Sequence, residues 1–132
     1  AGQTPRLVAK NIGTTQAARR DPSDSYDAGM AQVITVFRNR LLDGGRAEYS
    51  DMATEMSRLA RTMPGYVEHK AFTADDGERV TIVTFADRAS HDAWRDHPEH
   101  RAAQAAGIDR FYAEYGIQVA DVTYSHRFVH DG

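Results

Sequence analysis

The side chains best suited to chemistry lie in one stretch, from Ser90 to Tyr115. It holds the only tryptophan of the chain, Trp94, and three of the six histidines. The pattern predicts two short helices separated at Pro98. On the second helix, an imidazole, an amide and aromatic rings recur at spacings of three and four, which places them on one face: His100, Gln104, Gly107, Ile108, Phe111 and Tyr115. Such a face could line a pocket for a flat ligand, or it could be a core face with a polar end.

Asn39 is the second candidate, at the end of an apolar strand. The segment Gln32–Leu41 is rich in β-branched and aromatic residues and predicts a strand. Asn39 continues the alternating face of Val33 and Phe37, although asparagine is depleted in strands. If that face meets the helices, Asn39 could approach Trp94 and Gln104 in a largely apolar cavity, the usual form of a small-molecule site. Amide and indole N–H groups can bond a phenolate, an enolate or an oxygen species, and histidine can take a proton.

Each of these residues also has a structural interpretation. Trp94 could be a core residue, and His97 could cap the second helix or lie in solvent. His100 and Gln104 could form a solvated stripe, whereas Tyr112 and Tyr115 could pack with their hydroxyl groups at the surface. Both sets of interpretations remain open at the level of sequence.

Composition excludes several classes of function. The 132 residues predict one domain, and a net charge of −3 without a basic run argues against nucleic acid. The absence of cysteine excludes disulfides and thiolate chemistry. No apolar run could span a bilayer and the N-terminus lacks the apolar core of a secretory signal, so we expect a cytoplasmic protein. A glycine-rich phosphate loop and a G-x-S-x-G elbow are both missing, and no metal site is predicted.

The order of predicted elements indicates an α+β fold. Residues 1–31 are expected to form an N-terminal arm or a partly disordered extension, and residues 32–132 the domain. The predicted elements follow a β-α-β-β-α-β order, which is ferredoxin-like, with a four-stranded antiparallel sheet: strand 32–41, a helix to Met63, strands 66–73 and 79–85, the two helical pieces ending at Gly116, and strand 117–128. The uncovered sheet face, expected to carry Ile34, Val36 and Val83, predicts a homodimer that packs sheet on sheet, as in a dimeric α+β barrel.

Residues ~32–128 resemble an antibiotic biosynthesis monooxygenase domain of the dimeric α+β barrel superfamily. The resemblance lies in VITVFRNRL, MPGYVEHKAFTADDGERVTIVTF, AWRDHPEHRAAQ and FYAEYGIQVADV. It implies either a cofactor-independent oxygenase acting on aromatic polyketides or a haem-degrading enzyme. In the haem-degrading branch that the chain resembles, the first strand carries an Asn, the second helical segment a Trp, and a position further along a His. Asn39 and Trp94 match the first two positions, but Gln104 stands at the third, so a haem ligand would have to be His97 or His100.

The resemblance and the residues together predict a cofactor-free monooxygenase that oxidises a phenolic or polycyclic aromatic, polyketide-like molecule with molecular oxygen. Asn39 and Trp94 are expected to orient substrate or oxygen, with His100 as the base. The predicted substrate-binding residues are Phe37, His97, Gln104, Phe111 and Tyr115. The expected partners are the substrate and a second copy of the chain, without nucleic acid or membrane. The alternatives are a haem-binding or haem-degrading protein, and a non-catalytic, cyclase-type or lyase-type accessory protein that uses the same pocket.

Overall fold

A computed structural model describes residues 29–131, so most of the arm predicted over residues 1–31 lies outside the described part of the chain. The elements, in chain order, are β1 (Val33–Leu41), α1 (Arg46–Thr62), β2 (Tyr66–Thr73), β3 (Arg79–Phe85), α2 (Arg88–Arg95), α3 (Pro98–Ala106), one π-helical turn (Gly107–Phe111) and β4 (Tyr112–Asp121). Within residues 29–131, no helix is long and apolar enough to cross a membrane.

Local sequence explains where the helices begin and end. Gly44 and Gly45 adopt positive φ angles of 83° and 67° in the turn before α1, a conformation that glycine tolerates best. The carboxylate of Asp87 accepts a hydrogen bond of 2.8 Å from the Ser90 backbone N–H and so caps α2. Pro98 is the first residue of α3, where its missing N–H removes no helical hydrogen bond.

The four strands form one antiparallel sheet in the order β2-β3-β1-β4. This order places the first strand in the middle, next to the third and fourth, and is the ferredoxin-like arrangement that the sequence predicted. The predicted fold class is therefore confirmed.

The end of the chain differs from the prediction. Tyr115 and Gly116 were assigned to the second helix, but α3 ends at Ala106, and β4 already begins at Tyr112 after the π-helical turn. The strand predicted over residues 117–128 is likewise wrong in its bounds, because β4 ends at Asp121. Aromatic residues favour strands, and here that preference is stronger than the apparent helical spacing.

The helices cover one face of the sheet. Ala60, Phe85 and Trp94 form a buried cluster, against which further apolar side chains pack: Met56, Leu59, Met63, Tyr66 and Val83. Val83 pairs with Thr35 and therefore shares its helix-facing side, so its predicted place on the uncovered face is wrong. Ile34 and Val36 alternate to the other side, and Ile82 joins them there opposite Val36.

Candidate functional site

A cavity of about 380 Å³ lies between the sheet and the helices. Its volume is within the range of small-molecule sites, which are concave and largely apolar with a few polar groups. All four strands contribute to its floor and all three helices to its walls. The lining includes Thr35, Phe37, Tyr49, Met52, Met56, Ser57, His69, Val83, His91, Trp94, His100, Gln104, Ile108, Tyr112, Tyr115, Ile117 and Val119.

Trp94 and His100 form a stacked pair in the cavity wall. Their ring centroids are 4.1 Å apart and the ring planes differ by 17°. His100 Nδ1 lies 3.1 Å from the carbonyl oxygen of Trp94, in the last turn of α2. When Nδ1–H donates to this carbonyl, Nε2 of the neutral ring is left as an acceptor.

Burial lowers the pKa of His100 below its ordinary value, since water no longer stabilises the charged ring. The nearby carbonyl groups of Trp94 and Arg95 oppose this effect, and the imidazoles of His97 and His91 reinforce it. His100 is therefore neutral at pH 7 and has the protonation state that a base requires.

His91 adds a second imidazole that was not predicted as a site residue. It is 5% exposed, lines the cavity, and its Nδ1 lies 2.8 Å from the Asp92 carboxylate. A carboxylate at Nδ1 fixes the orientation of the ring. The sequence did contain a signal, because His91 precedes Trp94 by three residues on the same helix and so shares its face.

Aromatic rings line the part of the cavity near β4, where Tyr115 is 47% exposed. The Phe37 ring lies 5.5 Å from Tyr112 and 5.8 Å from Tyr115, while Tyr49 contacts both Tyr112 and Phe111. Burial, with smaller contributions from Tyr49, raises the pKa of Tyr112 well above its usual range. The Tyr112 phenol therefore remains protonated and can serve as a hydrogen-bond donor.

Asn39 is almost fully buried, at 1% exposure, on the same side of the sheet as Phe37. Within residues 29–131, neither Nδ2 nor Oδ1 of Asn39 has a hydrogen-bond partner. In the sheet it lies between Arg79 of β3 and Tyr115 of β4. It is not among the residues that line the cavity, to which β1 contributes Thr35 and Phe37.

The structure thus brings five of the predicted site residues to one cavity: Phe37, Trp94, His100, Gln104 and Tyr115. Asn39, His97 and Phe111 lie outside its lining. His97 caps α3 by accepting a 3.1 Å hydrogen bond from the Glu99 backbone N–H, and Phe111 packs on Tyr49. Their roles toward a substrate remain predictions.

Ser57 on α1 and His69 on β2 are further polar cavity residues that were not predicted from the sequence. His69 Nε2 lies 3.1 Å from the Ser57 hydroxyl, and its Nδ1 lies 2.7 Å from the Tyr66 hydroxyl. In the described part of the chain there is no group of three or more side chains suited to hold a metal ion.

The geometry defines a small ferredoxin-like domain with an aromatic-lined cavity between its sheet and its helices. Residues 32–106, more than half of the chain, match the family model for antibiotic biosynthesis monooxygenases. The chain belongs to that family.

The sequence is 31% identical over 74 residues to YqjZ, an uncharacterised protein of Bacillus subtilis (strain 168). That match covers 56% of this chain and 65% of YqjZ, slightly less than two thirds of its length.

Solved structures with the same fold include a mutant of SnoaB, a cofactor-independent oxygenase from Streptomyces nogalater. It has a TM-score of 0.62 and 15% identity, with coverage of 72% of this chain and 96% of that one. Rv0793 from Mycobacterium tuberculosis has a TM-score of 0.63 and 17% identity, with coverage of 70% and 95%. At these identities the likeness shows the fold alone.

Proposed function

We propose that the chain is a cofactor-independent monooxygenase that oxidises a phenolic or polycyclic aromatic molecule with molecular oxygen. The observation that carries this proposal is the contact of His100 Nδ1 with the Trp94 carbonyl oxygen, which leaves Nε2 as the acceptor in a cavity lined with aromatic rings. Membership of the monooxygenase family and the cofactor-independent oxygenase SnoaB support it.

The proposed reaction converts an activated ring methylene group into a carbonyl. In the balanced form, one methylene group and one dioxygen molecule give one carbonyl group and one water molecule. One oxygen atom therefore enters the product, and the other leaves as water with the two methylene hydrogens. All four electrons come from the substrate, and no external reductant is needed. The step that the protein assists is removal of the first proton, after which the substrate anion donates an electron to oxygen.

The residues of the cavity would share this work. His100 Nε2 takes the proton, because its Nδ1–H is engaged by the Trp94 carbonyl. The Trp94 ring positions the imidazole by stacking on it. The Gln104 amide is the donor for the substrate anion, and such donors are most effective where water is excluded. Phe37 and Tyr115 provide flat surfaces for the ring system.

Oxygen uptake with anthrone tests the proposal. We expect metal-free, colourless protein to consume oxygen, and His100→Gln to reduce kcat by about 10²- to 10⁴-fold, the usual contribution of a general base. His126→Gln is the matched control, since His126 is exposed after the end of β4. Unchanged turnover in His100→Gln would refute the assignment of the base. Full turnover in Trp94→Phe would remove Trp94 from the proposed machinery, and full turnover in Asn39→Ala would show that the role predicted for Asn39 from the sequence is wrong.

The haem alternative is tested on the same samples. Haemin is added to wild-type protein and to His100→Gln while the Soret band is followed. We expect no shift, because Gln104 occupies the position where the haem-degrading relatives carry histidine. A Soret shift that is abolished by His100→Gln, or by His97→Gln and His100→Gln together, would replace the cofactor-free proposal.

We also propose that the protein is a homodimer that associates through the sheet face opposite the helices. Ile82 and Phe72 are 37% and 48% exposed there, Ile82 opposite Val36 of β1 and Phe72 opposite Val80 of β3. Exposed apolar faces of this kind mark partner surfaces. Sedimentation equilibrium should give twice the chain mass, and Ile82→Asp should give the single mass. The control is Ile108→Asp, an exposed isoleucine on the helix side, and dissociation by this variant alone would contradict the proposed interface.

A further inference from the structure

The hydrogen-bond chain through His69 lies outside the machinery proposed above. The Tyr66 hydroxyl and His69 Nδ1 are 2.7 Å apart, and His69 Nε2 and the Ser57 hydroxyl are 3.1 Å apart. Ser57 and His69 line the cavity, whereas Tyr66 lies behind them against the core. Three polar side chains from two elements therefore converge on one point of a mostly apolar wall.

A β-bulge brings Tyr66 and His69 together. Tyr66 pairs with Phe85 and His69 with Val83, so both face the helices although they are three residues apart. In a regular strand, residues three apart point to opposite faces. The extra residue at Val67 reverses that relation, as bulges do.

The Ser57 hydroxyl is oriented toward His69 rather than toward the backbone of its own helix. Serine and threonine inside helices commonly bond a carbonyl one turn earlier. Thr62 of the same helix does so, with its hydroxyl 2.7 Å from the Leu59 carbonyl oxygen. Ser57 instead bonds His69, which fixes its hydroxyl at the cavity wall.

The hydrogen-bonded side chains of Ser57, His69 and Tyr66 lie at the β2 edge of the cavity. The sheet order is β2-β3-β1-β4, so His69 and the β4 residues Tyr115, Ile117 and Val119 lie on the two outer strands. With about 4.8 Å between neighbouring strands, the outer strands are about 14 Å apart. A flat ligand across the sheet would therefore have one end near Ser57.

The surroundings of His69 favour the neutral form of its ring. Burial, and to a smaller extent the positive charge of Arg61, lowers the pKa of His69. A neutral imidazole carries one N–H, on either Nδ1 or Nε2, so the hydrogen bonds between Tyr66, His69 and Ser57 can run in either of two directions. With the proton on Nδ1, Ser57 donates to Nε2 and its oxygen accepts from a ligand hydroxyl. With the proton on Nε2, Ser57 is free to donate to a ligand carbonyl.

We propose that Ser57, held by His69 and Tyr66, is a second oxygen-binding subsite that takes a hydroxyl or carbonyl oxygen at the end of the aromatic ligand nearest β2. The inference rests on the proposed function in that both place an aromatic ligand in this cavity. It narrows the ligand class to ring systems with an oxygen substituent remote from the carbon that is oxidised.

Binding of two stable compounds to full-length protein tests the subsite, with quenching of Trp94 fluorescence as the signal. 2,6-Dihydroxyanthraquinone carries a hydroxyl at each end, and 9,10-anthraquinone has the same rings without them. Ser57→Ala should raise the Kd for the dihydroxy compound by about three- to tenfold, which corresponds to the loss of one neutral hydrogen bond. The same variant should leave the Kd for anthraquinone within about twofold of the wild-type value. Ser50→Ala, an exposed serine of the same helix, is the matched control and should change neither Kd.

The tautomer of His69 provides a second measurement that a structural role would not change. In the complex with the dihydroxy compound, ¹⁵N NMR should show the His69 proton on Nδ1, and Tyr66→Phe should reduce that preference. A proton on Nε2 in this complex would overturn the inference that the Ser57 oxygen accepts from the ligand hydroxyl. Equal weakening of both compounds by Ser57→Ala, no weakening of either, or failure of wild-type protein to bind them would overturn the subsite.

The outcomes for the subsite and for the reaction are separable. Oxygen uptake with anthrone, which lacks hydroxyls at the ends of its rings, tests the reaction without this subsite. Uptake by wild-type protein together with unchanged Kd values in Ser57→Ala would retain the oxygenase and reject the subsite. Selective weakening by Ser57→Ala without oxygen uptake would retain the subsite and reject the oxygenase.

Discussion

Replacing Asn39 by leucine tests whether the buried amide contributes to stability or to function. Within residues 29–131, both polar atoms of this side chain are buried without a hydrogen-bond partner. A buried, unsatisfied polar group costs about 1–3 kcal/mol, and leucine has a similar volume and no polar atom. Leucine also lacks the unfavourable strand propensity of asparagine. We therefore expect Asn39→Leu to raise the free energy of unfolding by about 1–3 kcal/mol.

Urea unfolding measures this change directly, because Trp94 is the only tryptophan and lies in the core cluster. Thr35→Val is the control on the same strand face. Thr35 is only partly buried, and its change should stay within about 0.5 kcal/mol. A loss of stability in Asn39→Leu would refute the reasoning, since it would mean that the amide is satisfied in the folded protein. A more stable variant that no longer consumes oxygen would show that the amide is kept for function at the expense of stability.

Three further outcomes are expected. Gly107→Ala should lower the free energy of unfolding by about 1–3 kcal/mol, because the new methyl group overlaps the Tyr112 ring, and urea unfolding should show this penalty disappear in the Tyr112→Ala background. His97→Ala should lower it by about 0.5–1 kcal/mol through loss of the α3 cap, and a weakened Kd for dihydroxyanthraquinone in the same variant would place His97 in the binding site instead. The folded-state pKa values of His69 and His100 lie below 6.5, so the unfolded state takes up protons first. Urea midpoints should therefore be constant above pH 6.5 and decrease as pH falls from there toward the folded-state values, and this decrease should be smaller in the His69→Gln, His100→Gln double variant.

The first three strands and the long helix could be predicted because each has one dominant signal. β1 is a run of β-branched and aromatic residues, and the Asp-Gly turn before β3 is a strong hairpin signal. α1 has apolar residues at helical spacing and stops at Pro64 and Gly65. For these elements local preference and tertiary packing agree, and the order of elements then indicated the sheet arrangement.

The candidate site was predictable only along single elements. Trp94, His100 and Gln104 reach the cavity because helical spacing places them on one face, and that spacing is visible in the sequence. Asn39 shares the face of Phe37, yet β1 contributes only Thr35 and Phe37 to the cavity, and the Phe37 ring contacts Tyr112 and Tyr115. The depth of a cavity depends on side chains from another strand, and no pattern within β1 encodes them.

Two β-bulges account for what the spacing rules missed. One lies at the start of β2, and the other shifts the register of β4 against Arg40 and Leu41. Tyr115 pairs with Asn39 and Tyr112 with Leu41, so two tyrosines three residues apart share the helix-facing side of a strand. A three-residue spacing normally indicates a helix, and it extended the predicted second helix too far.

The same distortion in β2 places Tyr66 behind His69 and directs His69 at Ser57. Bulges often lie beside functional sites because they redirect a side chain while the rest of the strand keeps its pairing. In this chain both bulges lie on outer strands and both turn a polar aromatic residue toward the same cavity. Deleting Val67 should leave Tyr66 and His69 two residues apart in a regular strand, still on one face, so the variant should keep the selective binding of dihydroxyanthraquinone, and loss of that selectivity would contradict this geometry.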